Sequence, residues 1–407
     1  MKSDELTKSY STSLWLILLV TISVQVLATF TALSLAAIAP EVATGIEVSP
    51  ELVGYQISLL YLGAAIMSTA AGYQLRRWGP IRVSQASLIF CAVGAALAIV
   101  PSLLFIAIGS LIIGLGYGMT NPAASEMLLR SMPADRRNLI FSIKQTGVPI
   151  GGALAGLLSP LISKSFGWQW SPAVAALLCI LLVIFMQPMR SAWDSERRNG
   201  VVLERRVFDA ITIVWSSVQL RWLSICGFFY AAVQLTLAAF IVTLLVSDVS
   251  FDLIEAGLVL ALIQVSGVLG RVFWGWVADQ LGHGLTVLML TGGICLICAF
   301  FVMSITELWD KIIIYILFVV LGFNALGWTG VFQVEATRYA PVGQAGAVIG
   351  GITAPSYMGV IVGPSIFSLV YILSGSYTNN FILIALFATL GMFCLVFVGL
   401  SNKKNSS

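Results

Sequence analysis

The sequence predicts an all-α integral membrane protein with twelve transmembrane helices. Hydrophobic residues make up 59% of the 407 residues and charged residues only 10%, whereas soluble domains carry about 25% charged residues. The apolar residues fall in long blocks, each close to the roughly 20 residues that cross a hydrocarbon core as a helix. The basic residues lie almost entirely on one side of these blocks. Block length and charge segregation together predict the fold class.

The predicted spans are the apolar blocks between short polar loops. They lie at 14–39, 51–71, 81–100, 102–129, 139–163, 170–188, 222–247, 253–278, 285–304, 312–335, 343–373 and 379–400.

The distribution of Lys and Arg predicts the orientation of the chain. Of the 21 basic residues, seventeen fall on the side that holds the N-terminus and two on the opposite side. The remaining two, Lys144 and Arg271, lie inside spans. Both termini are therefore expected in the cytoplasm, which requires an even number of spans.

The longest polar segment, 189–221, holds six arginines and four acidic residues and divides the chain almost in half. It predicts a cytoplasmic linker, with an amphipathic helix at 203–219 on the inner leaflet. The predicted domains are an N-terminal six-helix bundle at 1–188, this linker at 189–221, and a C-terminal six-helix bundle at 222–407.

Two loops repeat at half the chain length. Gly72 pairs with Gly275 and Gly79 with Gly282, both at an offset of 203 residues. The ends of spans four and ten also match, each with an acid and an arginine: Glu126 and Arg130 in the first half, Glu335 and Arg338 in the second. Parallel six-span repeats are one architecture of secondary transporters.

The loop 275–284 resembles the signature loop of the major facilitator superfamily (MFS), G-x-L-A-D-x-x-G-R-[RK], with His283-Gly284 in place of the basic pair. The first copy, 72–82, keeps both glycines and Arg77 but has Arg76 at the aspartate position. The resemblance covers essentially the whole chain. It implies the MFS fold, with two pseudo-symmetric six-helix bundles that alternate access to one central site.

Charged residues at these loops and small residues in span five predict a gating apparatus. An aspartate in the loop can meet a helix N-terminus or an arginine, and Asp279 is expected to pair with Arg338. A proline and glycines let a helix bend and slide. The predicted gating residues are Asp279, Arg338, Glu126, Arg130, Arg77, Gly72, Gly79, Gly275, Gly282, Pro149, Gly151 and Gly152.

Ionisable residues inside spans are costly and mark functional sites. Lys144 and Arg271 lie roughly 9 and 12 Å from the cytoplasmic surface at 1.5 Å per residue. The resemblance implies that spans five and eight face each other, and neither span holds an acid at that depth. The substrate is therefore expected to be anionic, a small carboxylate. Further predicted substrate-binding residues are Gln25, Asn121, Gln145, Gln234, Gln264, Asn324 and Tyr357.

An arginine followed by Trp274-Gly275 and the signature loop resembles the oxalate and monocarboxylate carriers of the superfamily, which implies that Arg271 binds substrate carboxylate. The predicted function is transport of a small organic anion by proton symport or anion exchange. The alternative is a proton-coupled efflux antiporter for amphipathic compounds. Span five partly resembles the antiporter motif G-x-x-x-G-P-x-x-G-G, with Val148 in place of a glycine.

An enzyme is not expected, because the sequence carries no catalytic constellation and His283 is the sole histidine. No G-x-x-x-x-G-K-[ST] motif for nucleotide phosphates is present. We expect no cofactor, metal ion or nucleic acid, and only the substrate and the lipid bilayer as partners. The chain is expected to be a monomer in a bacterial inner membrane.

Overall fold

The computed structural model describes residues 2–48, 50–194 and 209–406. Within these ranges every regular element is a helix and no strand forms. The α-helices are α1 (Lys2–Ser34), α2 (Ala39–Gly45), α3 (Pro50–Thr69), α4 (Ala71–Trp78), α5 (Pro80–Leu97), α6 (Leu103–Ser131), α7 (Arg137–Gln145), α8 (Gly147–Phe166), α9 (Trp170–Met186), α10 (Arg190–Trp193), α11 (Asp209–Ser216), α12 (Val218–Val249), α13 (Leu253–Leu281), α14 (Gly284–Met303), α15 (Lys311–Gly327), α16 (Thr329–Arg338), α17 (Ala345–Ser374) and α18 (Phe381–Ser406).

Among the described residues, 11 helical segments are long and apolar enough to cross a membrane. They match eleven of the twelve predicted spans, and the 20-residue helix α3 occupies the position of the remaining one. Large apolar side chains are exposed along these helices, for example Leu157, Leu269 and Leu373. Such surfaces are unfavourable in water, and lipid solvates them. The predicted all-α membrane fold is confirmed.

In three predicted spans a single turn residue separates two α-helices, at Ala70, Thr146 and Trp328. Pro149 explains the interruption at Thr146. Proline has no N–H to donate to the carbonyl four residues earlier, which belongs to Gln145. The helix therefore ends at Gln145 and starts again at Gly147.

The chain forms two compact units. Unit 1 consists of Met1–Ala134, Lys144–Ile213 and Ala340–Ala354. Within it α6 packs against α3 and α5, α8 against α1, and α9 against α5. Glycine permits this close packing: a Cβ on Gly114 of α6 would collide with the Leu60 carbonyl of α3, as is common between membrane helices.

Unit 2 consists of Asp135–Ile143, Val214–Tyr339 and Pro355–Ser407. Within it α15 packs against α13 and α14, and α18 against α14 and α12. The pairing of α13 with α15 repeats that of α3 with α6, one half-chain later. The domain limits at 188 and 222 stay a prediction.

Little of the linker lies in the described part of the chain. Residues 195–208, which include the start of the predicted amphipathic helix at 203–219, lie outside it. The described linker segments are α10, which directly follows span six, and α11, which precedes α12.

Candidate functional site

The side chain of Lys144 is buried in unit 1, with 1% of the residue exposed. Its Nζ donates hydrogen bonds to Gln25 Oε1 at 2.9 Å, to Asn121 Oδ1 and to Gln145 Oε1 at 3.3 Å. Gln25 lies on α1 and Asn121 on α6, so residues far apart in sequence converge on one ammonium group. All three acceptors are amide oxygens, which supply hydrogen bonds but no formal charge. Four of the predicted substrate-binding residues thus form one cluster, the Lys144 cluster.

Local backbone features position this cluster. Gly147, at the start of α8, lies against the Gln25 side chain so closely that a Cβ there would stand 2.9 Å from the Gln25 Cβ. Gly151, one turn on, packs as tightly against the backbone of α1 near Phe30. Gly152 is less crowded, because the nearest atom to a Cβ built there would be a Leu33 methyl carbon at 3.4 Å. The glycines of span five therefore set the spacing between α8 and α1.

Arg271 is buried in unit 2, with 2% of the residue exposed. Its Nε donates to the Leu326 carbonyl at 3.0 Å. Leu326 belongs to the last turn of α15. Carbonyl oxygens in the last turn of a helix have no N–H donor within the helix. Arg271 thus stabilises the helix end that precedes the interruption at Trp328.

The other predicted substrate-binding residues lie in unit 2. Gln234 accepts a hydrogen bond from the Trp328 indole at 3.2 Å. Asn324 donates to the Val320 carbonyl of its own helix at 2.7 Å. Tyr357 is buried on α17, and Gln264 is half-buried on α13. Sequence reasoning missed Trp328, which marks a helix interruption without a proline.

Asp279, at the end of α13, caps the N-terminus of α7. Its carboxylate accepts hydrogen bonds from the backbone N–H of Asn138 at 3.0 Å and of Leu139 at 2.8 Å, and from Asn138 Nδ2 at 2.8 Å. A carboxylate is favourable there, because the first N–H groups of a helix lack partners and the helix dipole is positive at that end.

The predicted pairing of Asp279 with Arg338 is wrong. Arg338 forms an ion pair with Glu335 at 3.1 Å and donates to the Gly282 carbonyl at 3.2 Å. Glu335 also accepts from the Gly284 N–H at 3.0 Å and so caps α14. A neighbour one turn away on the same helix satisfies Arg338, while helix α7 takes the Asp279 carboxylate.

In unit 1, the position equivalent to Asp279 is Arg76. Acidic residues of this region include Glu126 and Asp209. Glu126 forms an ion pair with Arg130 at 2.9 Å. Glu126 also lies beside the first turn of α17, where a Cβ on Gly346 would stand 3.3 Å from its carboxylate. Arg76 pairs with Asp209 of the linker at 3.5 Å. Arg76, Glu126 and Arg130 line a cavity of about 320 Å³.

Asp194, just after α10, is a helix-capping residue that sequence reasoning missed. It is 3% exposed and accepts hydrogen bonds from the N–H groups of Ile81 at 2.9 Å and Arg82 at 3.1 Å. It therefore caps α5. An aspartate four residues after Arg190 was the available signal, but only the fold brings it to residues more than a hundred positions earlier.

The repeated glycines have matching roles in the two units. Gly79 (φ 81°) and Gly282 (φ 67°) both end a helix with a positive φ that favours glycine. Gly72 gives room to Ala347 of α17, and Gly275 gives room to Ser142 of α7. Arg77 donates to the Tyr73 hydroxyl one turn earlier, at 2.8 Å, and its gating role stays a prediction.

Membrane-crossing helices, an internal repeat and buried polar clusters define a polytopic membrane transporter. The sequence profile of the Major Facilitator Superfamily matches residues 19–364. The chain belongs to the major facilitator superfamily and is a secondary transporter of small molecules, not an enzyme.

Two curated relatives are similar over most of their length. The glucose transporter GlcP of Staphylococcus epidermidis is 24% identical over 383 residues, which cover 85% of this chain and 84% of the relative. The gentisate transporter of Corynebacterium glutamicum is 22% identical over 357 residues, which cover 84% of this chain and 76% of the relative.

Two solved structures share the fold. FucP in the outward conformation superimposes with a TM-score of 0.75 at 15% identity, over 95% of this chain and 99% of FucP. The human organic anion transporter MFSD10 gives a TM-score of 0.75 at 14% identity, over 94% of this chain and 98% of MFSD10. At this identity the likeness establishes the fold alone.

Proposed function

We propose that the chain transports a small organic anion with a carboxylate group by alternating access, as a proton symporter or an anion exchanger. The observation that supports this most is the Lys144 cluster. A buried cation in a membrane-spanning helix is costly and is retained where it serves function. Its amide partners offer dipoles, and a substrate carboxylate would add the formal negative charge that these amides lack.

Arg271 is proposed as a second substrate-binding cation, in unit 2. Arginine binds carboxylates in a bidentate geometry, and its Nε bond to Leu326 holds the guanidinium in one orientation. The gentisate transporter of Corynebacterium glutamicum is a relative whose name specifies an aromatic carboxylate. Gentisate is therefore the first probe to use.

A second candidate is a neutral sugar. The first curated relative is named a glucose transporter. In addition, the Gln234 amide and the Trp328 indole form a hydrogen-bonded pair in unit 2, and aromatic rings next to amides suit sugar hydroxyl groups and carbon faces. The drug-efflux alternative stays a prediction, as do a bacterial inner membrane location, cytoplasmic termini and a monomeric state.

Uptake into proteoliposomes tests the proposal. We expect labelled gentisate to accumulate and labelled glucose to be excluded. Lys144→Gln and Arg271→Gln should each lower gentisate uptake at least about tenfold, the effect of one lost charge-assisted hydrogen bond. Gentisate uptake at the normal rate in both variants would contradict the assigned roles, and glucose uptake without gentisate uptake would favour the sugar.

Matched controls remove a positive charge outside the proposed site, so they test whether the loss of any basic residue lowers uptake. Lys164→Gln removes an exposed lysine in the last turn of α8, and Arg136→Gln removes an arginine whose side chain is 71% exposed. Both controls should transport like the wild type. Size-exclusion chromatography of each variant checks that the purified protein is folded.

A further inference from the structure

The hydrogen-bond donors of Lys144 are all in use. An ammonium group has three N–H donors and no acceptor. Three side-chain oxygens lie within hydrogen-bonding distance of Lys144 Nζ, from Gln25, Asn121 and Gln145. A carboxylate that binds the same ammonium group therefore has to displace at least one of these oxygens.

Gln145 makes the longest of these three contacts with Lys144 Nζ. Its oxygen lies 3.3 Å from Nζ, against 2.9 Å for Gln25, and the Asn121 contact is shorter still. Gln25 and Asn121 lie within the long uninterrupted helices α1 and α6. Gln145 is the last residue of α7, directly before the interruption at Thr146. Gln145 is itself buried, with 4% of the residue exposed, and the longest of the three contacts is the one whose displacement costs the least hydrogen bonding.

We propose that the Gln145 side-chain oxygen occupies the place of the substrate carboxylate in the substrate-free protein and leaves it when substrate binds. This inference rests on the proposed function and makes Gln145 a residue that sets affinity. Gln25 and Asn121 remain on Nζ as fixed partners and orient the ammonium group.

Two substitutions at Gln145 test this proposal, because they are expected to change the affinity for gentisate in opposite directions. Gln145→Ala removes the competing oxygen, and we expect gentisate to bind about threefold or more tightly, the ratio given by one net hydrogen bond. Gln145→Glu places a permanent carboxylate on Nζ, and gentisate should bind at least about tenfold more weakly. Isothermal titration calorimetry on the purified full-length protein measures both. Gln145→Met, an apolar residue of similar shape, should tighten binding as Ala does and replaces it if the Ala variant does not fold.

The same titration includes a control glutamine, Gln169. Gln169→Ala and Gln169→Glu, at the half-buried residue before α9, should leave gentisate affinity unchanged. If the Ala, Met and Glu variants at 145 all weaken binding, Gln145 is a substrate ligand or a structural residue, and the inference is overturned while the proposed function stands. If the wild type binds none of gentisate, benzoate and oxalate, the proposed function fails and the inference fails with it.

Discussion

Asp279 Oδ1 accepts two hydrogen bonds from a single residue, Asn138: one from its backbone N–H at 3.0 Å and one from its side-chain Nδ2 at 2.8 Å. The other carboxylate oxygen accepts from the Leu139 N–H. One aspartate in the last turn of α13 thereby satisfies N–H groups at the start of helix α7, 140 residues earlier in the sequence. This capping interaction holds residues of the first sequence half within unit 2.

Asp279→Asn should lower stability by about 1 kcal/mol, the usual value of a capping side chain, because the amide keeps one acceptor and loses the charge. The melting temperature of the purified protein in detergent measures this. Arg136→Gln is the control. Arg136 pairs with Asp135, and the two side chains are 71% and 75% exposed; such surface pairs contribute about 0–1 kcal/mol. Equal losses in the two variants would contradict the capping role of Asp279.

Asp194→Asn should destabilise unit 1 by a similar amount, about 1 kcal/mol, because Asp194 caps α5 from the linker. Asp209→Asn breaks only the half-exposed ion pair with Arg76 and should change the melting temperature little. The same thermal measurement compares them. A larger effect at Asp209 than at Asp194 would contradict the capping role.

Gly79 and Gly282 should differ sharply in their tolerance of a side chain. Gly79 combines φ 81° with ψ 161°, a region used almost only by glycine, and a Cβ there would stand 2.7 Å from the Asp194 Cβ. Gly282 has φ 67° and ψ 4° with open space around it. Gly282→Asn should be nearly neutral, because asparagine enters this region readily.

Gly79→Asn, by contrast, should lower expression of folded protein or reduce the melting temperature by several degrees. Fluorescence-detected size-exclusion chromatography after heating measures both variants side by side. Equal tolerance at the two positions would contradict the prediction that the backbone angles and the Asp194 contact both require glycine at position 79.

Pro149→Ala should strengthen the helix and slow transport. The alanine supplies an N–H for the Gln145 carbonyl, so α7 and α8 can join, with a gain of about 1 kcal/mol or more. Gentisate uptake should fall, because the interruption next to Lys144 is lost. Pro160→Ala is the control: Pro160 lies within α8 without interrupting it, so its variant should gain stability and keep its uptake rate.

Much of the fold could be read from the sequence because the bilayer imposes it locally. A segment that crosses lipid must satisfy its own backbone hydrogen bonds and present apolar side chains, so composition along the chain predicts each span. The positive-φ glycines at 79 and 282 could also be predicted from the sequence, because they recur at an offset of 203 residues in the two halves. The interruption at Thr146 has a visible cause in Pro149, whereas that at Trp328 has none in the sequence.

The sequence alone determined which charged residues are informative about function. These are Lys144 and Arg271, which are costly to place inside membrane spans, and the charged residues at the repeated loops. Only the tertiary structure decided their partners. Gln25 and Asn121 reach Lys144 from 119 and 23 residues away, and Asp194 reaches Ile81 across 113 residues. Hydrophobicity is a property of each segment, but a hydrogen bond depends on direction and distance between side chains that only helix packing brings together.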